Sequence, residues 1–215
     1  MKRLILTSVL MLTISLSSQA QYPVRMHSHN DYAQQAPFWL AYSQKASVIE
    51  CDMFYVGGTK FMVGHDKEDF RYNQEFDVYY LEPIVRMYKA NGGHAWNDDE
   101  NRDLQLMIDI KSEDTDAFLK ALVQKLQQYP DVFDRSVNPH ACQVIITGNR
   151  PPVETYPSYP AMISFDGTLD KTYTPEQLAK VWLISECFDD YCQWNGKGTL
   201  IYDEEQAVKK VIARK

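Results

Sequence analysis

The run 47–54, Ser-Val-Ile-Glu-Cys-Asp-Met-Phe, constrains this chain more than any other stretch. It is apolar except for two acids placed two residues apart. In a strand, residues two apart share a face, so Glu50 and Asp52 point one way while Ile49, Cys51 and Met53 point the other. A nearly continuous apolar run suits a strand covered on both sides, as in parallel sheets. Two carboxylates side by side in such a place repel each other and resist desolvation unless they share a cation. The usual solution is a hard divalent metal with oxygen ligands. A pair of solvated acids on an edge strand is the plainer alternative, and the flanking Ser47-Val48-Ile49 argues against it.

The rest of the chain has a rhythm that suits such a strand. Apolar β-like runs fall at 24–27, 60–64, 103–110, 143–147, 161–165 and 181–185. Between them lie segments with helical spacing at 33–45, 79–91, 115–129, 175–180 and 203–213. Gly57-Gly58 turns the 47–54 strand back on 60–64 as a hairpin, and Thr174 followed by Pro175 reads as a helix N-cap and first helical residue. Strand and helix in alternation are the signature of a parallel α/β fold. The polar candidates sit at strand C-terminal ends, where a β/α barrel carries its site. A TIM-type β/α barrel is therefore expected, incomplete at the C-terminus, with about six of the eight units countable. An open doubly wound sheet is the structural alternative, without a Gly-x-Gly-x-x-Gly to support a dinucleotide version.

Three more clusters lie at expected strand ends. His27-Ser28-His29-Asn30-Asp31-Tyr32 follows the first strand, His65-Asp66 ends the hairpin, and Asp109 and Lys111 share a face at the end of the 103–110 strand. The first reads either as a site or as a capped turn, and the last either as an ion pair or as a metal ligand beside an anion contact. His94 and His140 read as surface and loop residues. After the 181–185 strand, Glu186 and the sequence Trp194-Asn195-Gly196-Lys197-Gly198 offer either a loop for an anionic headgroup or a plain turn.

Taken in order, these clusters resemble a known superfamily. Ser28-His29-Asn30-Asp31-Tyr32 is similar to the S-H-N-T-Y segment of the eukaryotic phospholipase C catalytic barrel. Residues 49–66, IECDMFYVGGTKFMVGHD, resemble the I-E-x-D…G…V-x-H-D segment that phospholipases C share with glycerophosphodiester phosphodiesterases. The resemblance is dense from Met26 to Asp66 and thinner through Lys111. It implies a metal-dependent phosphoric diester hydrolase acting on glycerophosphodiester or phosphoinositide-type substrates. It implies His29 and His65 as the catalytic pair, one acid and one base with the order left open, and Asn30, Glu50 and Asp52 as ligands of Ca or Mg. Asp109 falls where the family usually has Glu, and Lys111 matches the Lys of its E-x-K strand. Lys111, Lys197 and Trp194 are the candidates for substrate contact. His27 is a further candidate, because with His29 it would make an H-x-H metal pair under the competing reading of an amidohydrolase-like hydrolase. A third reading is an inactive truncated remnant or binding module.

The N-terminus has a basic start at Lys2 and Arg3, an apolar run over 4–16 and small residues at Ser18-Gln19-Ala20. It reads as a signal peptide over 1–20 before a phosphodiesterase-like domain over 21–215, which places the protein in the periplasm or outside the cell. The apolar run is short for a membrane anchor, and no later run is long enough to span. The net charge of -7 opposes capture of nucleic acid but not of a small or lipid phosphodiester held by a metal. An incomplete barrel also leaves room for an oligomer that covers its edges. Of the four cysteines, Cys51 and Cys142 read as buried thiols, and Cys187 and Cys192 are close enough to close a small loop.

Overall fold

The computed structural model describes residues 25–70 and 74–213. In chain order the elements are β1 (His27–Ser28), α1 (Trp39–Ser43), β2 (Val48–Gly57), β3 (Lys60–Val63), α2 (Glu82–Ala90), β4 (Gln105–Ile110), α3 (Thr115–Leu126), α4 (Pro130–Phe133), β5 (Gln143–Gly148), β6 (Ile163–Gly167), α5 (Pro175–Leu178), β7 (Val181–Ile184) and α6 (Tyr202–Ile212). The sheet runs β1-β2-β4-β5-β6-β7, every neighbour parallel, and β3 pairs antiparallel with β2 as a hairpin. Each parallel strand is added beside its predecessor and the order never reverses, so the sheet lacks the switch point of a doubly wound fold. It is not closed into a barrel by hydrogen bonds, and β1 and β7 are its two ends.

Alternation along the strands separates two faces. Ile49, Cys51, Met53, Leu106, Ile108, Ile110, Val144, Ile146, Ile163 and Phe165 join Tyr80, Ile84 and Tyr88 of the α2 region and Phe118, Leu122 and Leu126 of α3 in one buried apolar cluster. The opposite face carries Glu50, Asp52, Gln105, Asp109, Gln143, Thr147, Ser164 and Asp166, with Met107 and Ile145 buried among them. One side of the sheet is thus the hydrophobic core under the helices, and the other is a predominantly polar face.

Local departures have local causes. The helix expected over 33–45 is broken into a 3-10 turn at Asp31–Ala33 and the short α1. Pro37 disfavours helical backbone at Ala36, and Phe38 adopts a positive φ of 62° while donating its N–H to the Asp31 carboxylate. The expected 79–91 helix begins with a wide turn at Asp77–Leu81 and becomes α-helical where Pro83, which has no N–H to give, occupies the first turn. Thr174 and Gln177 cap α5 reciprocally. All four cysteines are free, so the 187–192 loop is not closed by a disulfide.

Toward the C-terminus the packing thins. Trp182 and Ile184 of β7 and Phe188 and Trp194 beyond it are exposed, and α6 buries none of its side chains. No described helix is long and apolar enough to cross a membrane. The expected signal segment lies outside the described residues.

Candidate functional site

Sheet register assembles the site. β2 and β4 pair so that Asp52 stands beside Asp109 and Glu50 beside Met107. One carboxylate oxygen from each of Glu50, Asp52 and Asp109 lies within 4.8 Å of the others. Glu50 and Asp52 are buried and Asp109 is partly so. Lys111, two residues beyond Asp109, turns back over them, its Nζ 3.0 Å from Asp109 Oδ2 and 3.3 Å from Asp52 Oδ1.

One ammonium among three carboxylates leaves the group short of positive charge. Burial pushes the Glu50 carboxyl up to about 7, and the charges of Asp52 and Asp109 push the same way, against a hydrogen bond from the Asn30 amide and the charge of Lys111. Asp109 Oδ1 is buried without a hydrogen-bond partner. Gly148, at the end of β5, makes room for it: its φ is +69°, and a Cβ there would lie 1.9 Å from Asp109 Oδ1. An orphaned buried oxygen and an all-carboxylate donor set fit a hard divalent cation.

The loop after β1 reaches this group in an unexpected way. Asn30 takes a left-handed conformation (φ 49°, ψ 46°) and donates its backbone N–H to Glu50 Oε2 at 2.6 Å. Asp31 turns into the core, fully buried, and accepts from Ser28 Oγ at 2.8 Å, Tyr80 Oη at 3.1 Å and the Phe38 amide. Tyr32 donates its hydroxyl to Asp52 Oδ2 at 2.7 Å.

The histidines lie on the loops around the acids. His27 and His29 meet edge to face, centroids 6.2 Å apart, and burial and then the charge of His29 lower the proton affinity of His27. The hairpin carries His65 past Asp52, whose carbonyl accepts from the Gly64 amide at 3.2 Å. Its side chain is 60% exposed, with Nδ1 3.0 Å from Asp66 Oδ2. That bond and the Asp66 charge raise its proton affinity, and Asp52 adds to the effect while Lys111 opposes it.

Thus Glu50, Asp52, Asp109 and Lys111 are in direct contact range, and Asn30 meets Glu50 through its backbone. Neither His27 nor His29 belongs to the metal-competent group, which among the described residues is made of carboxylates alone. Trp194 and Lys197 are not brought to it. Trp194 Nε1 donates to the carbonyls of Lys197 and Gly198 at 3.0 and 3.3 Å, so that loop closes on itself. A groove of about 460 Å³ reaches Lys111 between Tyr55, Lys67 and Glu113, and another of about 720 Å³ starts at Gly148 and runs past Arg150, Lys171 and Tyr173.

Sequence reasoning passed over Gly148 and Asp166, and it included Asp31 and Tyr32 in the first cluster without giving either a contact to the core or to the acids; Asp166 is the one with a sequence signal. It is visible as Ser164-Phe165-Asp166, the same alternation that marks Glu50-Cys51-Asp52, had the strand been read one residue further.

The profile of the AIM6-like phosphodiesterase domain matches residues 16–155, a span that contains every acid and histidine above except Asp166. Three fungal proteins are similar. One from Eremothecium gossypii, named altered inheritance of mitochondria protein 6, is 29% identical over 146 residues, covering 59% of this chain and 37% of that protein. A protein of the same name from Kluyveromyces lactis is 25% identical over 166 residues, 62% of this chain and 40% of its own length. A homolog from Arthroderma benhamiae is 25% identical over 171 residues, 68% and 54% of the two chains. The chain therefore spans between 37% and 54% of the length of these relatives. No solved structure matches it.

Proposed function

The chain belongs to the AIM6-like phosphodiesterase domain family, and from that premise we propose that it hydrolyses phosphodiesters with a divalent cation, Ca or Mg, held by Glu50, Asp52 and Asp109. The observation that carries the metal assignment is the buried, unpartnered Asp109 Oδ1 within a group of three carboxylates served by one lysine. Asn30, whose backbone is already on Glu50, is the fourth candidate ligand through its side chain. A bound divalent cation supplies positive charge to a phosphoryl oxygen as negative charge develops there.

The remaining work falls to the protein. His65, whose proton affinity the bond to Asp66 raises, delivers a proton to the leaving oxygen. His29, on the loop that also carries Asn30, takes the proton from the attacking hydroxyl. Lys111 offers its ammonium to a non-bridging oxygen of the phosphodiester. Glycerophosphodiesters and phosphoinositides are the substrate classes proposed, and the groove that reaches Lys111 is the proposed approach for the phosphate-bearing headgroup.

The test is purified protein assayed on glycerophosphocholine and on phosphatidylinositol, after chelation and after return of Ca or Mg. Hydrolysis that disappears on chelation and returns with one of the cations is the expected result. Full activity in chelator would overturn the metal assignment, and no activity on any phosphodiester in the presence of both cations would favour a binding module.

A further inference from the structure

The segment 30–32 alternates between two destinations. Asn30 and Tyr32 face the acids, while Asp31 between them faces the core. Its two site-facing donors each hold one oxygen: Asn30 N–H takes Glu50 Oε2, and Tyr32 Oη takes Asp52 Oδ2. We infer that Tyr32 is a positioning residue which sets the cation affinity of the acid group by fixing the Asp52 carboxylate through Oδ2. The inference rests on the reading above that Glu50, Asp52 and Asp109 hold a divalent cation.

The geometry favours Tyr32 over Lys111 as the fixed support of Asp52. The terminal torsion of a carboxylate is soft, so a single donor at one oxygen decides its plane. Lys111 reaches Asp52 Oδ1 at 3.3 Å on a flexible stem and shares its charge with Asp109. Tyr32 is held at both ends. Its ring packs against the apolar cluster, and its hydroxyl lies 2.7 Å from Asp52. The residue before it is clamped by Ser28, Tyr80 and the Phe38 amide. A donor on a rigid ring, standing on the core, keeps Oδ2 occupied and fixes how Oδ1 is presented. Partners of this kind behind a ligand commonly govern metal affinity by 10- to 100-fold.

Tyr32→Phe deletes the hydroxyl and keeps the ring. CaCl2 and MgCl2 are titrated calorimetrically into the full chain, wild type and variant, and melting temperatures are taken with and without each cation. The expected result is a Kd raised about tenfold or more, with a smaller cation-induced rise in Tm than in wild type. Tyr191→Phe, which removes a hydroxyl bonded to Glu186 Oε2 at 2.9 Å, is the control and leaves the Kd and the cation-induced rise in Tm unchanged. A merely structural Tyr32 would lower Tm equally with and without cation and leave Kd within about twofold, and that outcome overturns the inference alone. A wild type that binds neither cation overturns the metal assignment and this inference together.

Discussion

Asp109 and Asp166 stand on the same polar face of one sheet, near the same ends of their strands, separated by Thr147. Their surroundings differ. Asp166 is 4% exposed and its carboxylate is met by uncharged donors, Thr147 Oγ1 at 3.2 Å, the Ser185 amide at 3.1 Å and the Ser185 hydroxyl, while the Arg150 guanidinium donates to its backbone carbonyl. It links β5, β6 and the residue after β7 and asks for nothing more. Asp109 shares one lysine with Asp52, sits beside two other carboxylates and keeps one oxygen without a partner. The contrast teaches that burial alone does not mark a metal ligand. At Asp109 burial comes with two neighbouring carboxylates and too few donors, and that combination supports the proposed cation.

The comparison breaks most sharply at these two residues. Asp109→Asn should cut hydrolysis by about 1,000-fold, since a ligand that helps hold the charge-stabilising ion supports several kcal/mol of the barrier. Its Tm without metal should hold or rise, because one of three crowded charges is gone. Asp166→Asn should do the reverse. Loss of the acceptor beside Ser185 should destabilise the fold by about 1–3 kcal/mol, while the folded fraction keeps its activity within a few-fold. Steady-state rates and melting curves on the same two variants decide it, and an exchange of the two patterns would sink the assignment.

The next effect follows from Glu50. Its carboxyl titrates at about 7 in the fold against an ordinary 4.5. A raised acid favours the folded state while protonated, so this contribution is full below 4.5 and is lost as pH climbs through 7. That span corresponds to roughly 3 kcal/mol in the metal-free protein. Cation binding needs the carboxylate, so Ca or Mg affinity should climb about tenfold per pH unit up to neutrality and level off above it. Glu50→Gln should flatten the metal-free stability across the same range. Wild-type affinity that ignores pH there would remove Glu50 from the ligand set.

How much of this was legible in the sequence depends on the range of the forces involved. The Glu50-Cys51-Asp52 alternation is a property of one strand, and so is the strand's apolar flank, so both the element and the shared face could be read directly. The convergence of Asp109 on that pair needed β4 beside β2 in register, which the strand–helix rhythm implies without fixing. Asn30 was expected to act through its side chain, and its backbone contact with Glu50 was not legible, because a left-handed backbone that aims the amide at Glu50 has no periodic signature. The break in the expected 33–45 helix depends on Asp31 taking the Phe38 amide, a contact across seven residues. Gly148 could only be explained once Asp109 Oδ1 lay against it. Trp194 and Lys197 were placed by analogy with a closed barrel, and in a sheet whose ends do not pair their loop folds on itself.

The smallest effect tests whether the Asp166 end of the sheet is mechanically separate from the acid group. Among the described residues β7 pairs only with β6, and its Trp182 and Ile184 are exposed, so few apolar contacts hold it. Ser185 is its fastening: the amide donates to the Gly167 carbonyl at 3.2 Å and to Asp166 Oδ1, and the hydroxyl donates to Asp166 Oδ2. Ser185→Ala removes only the hydroxyl bond, and Thr147 still serves Asp166 Oδ2. The cost should be about 1 kcal/mol, or a fall of roughly 2–4 °C in Tm. Because the lost contact lies at the edge, amide exchange should quicken in Val181–Ile184 and stay slow in β2 and β4, where the core clamps both strands. Ca affinity should not move. If exchange quickens equally across β2, β4 and β7, the sheet opens as one unit, and Asp166 then supports the acid group through the whole sheet instead of fastening only its own edge.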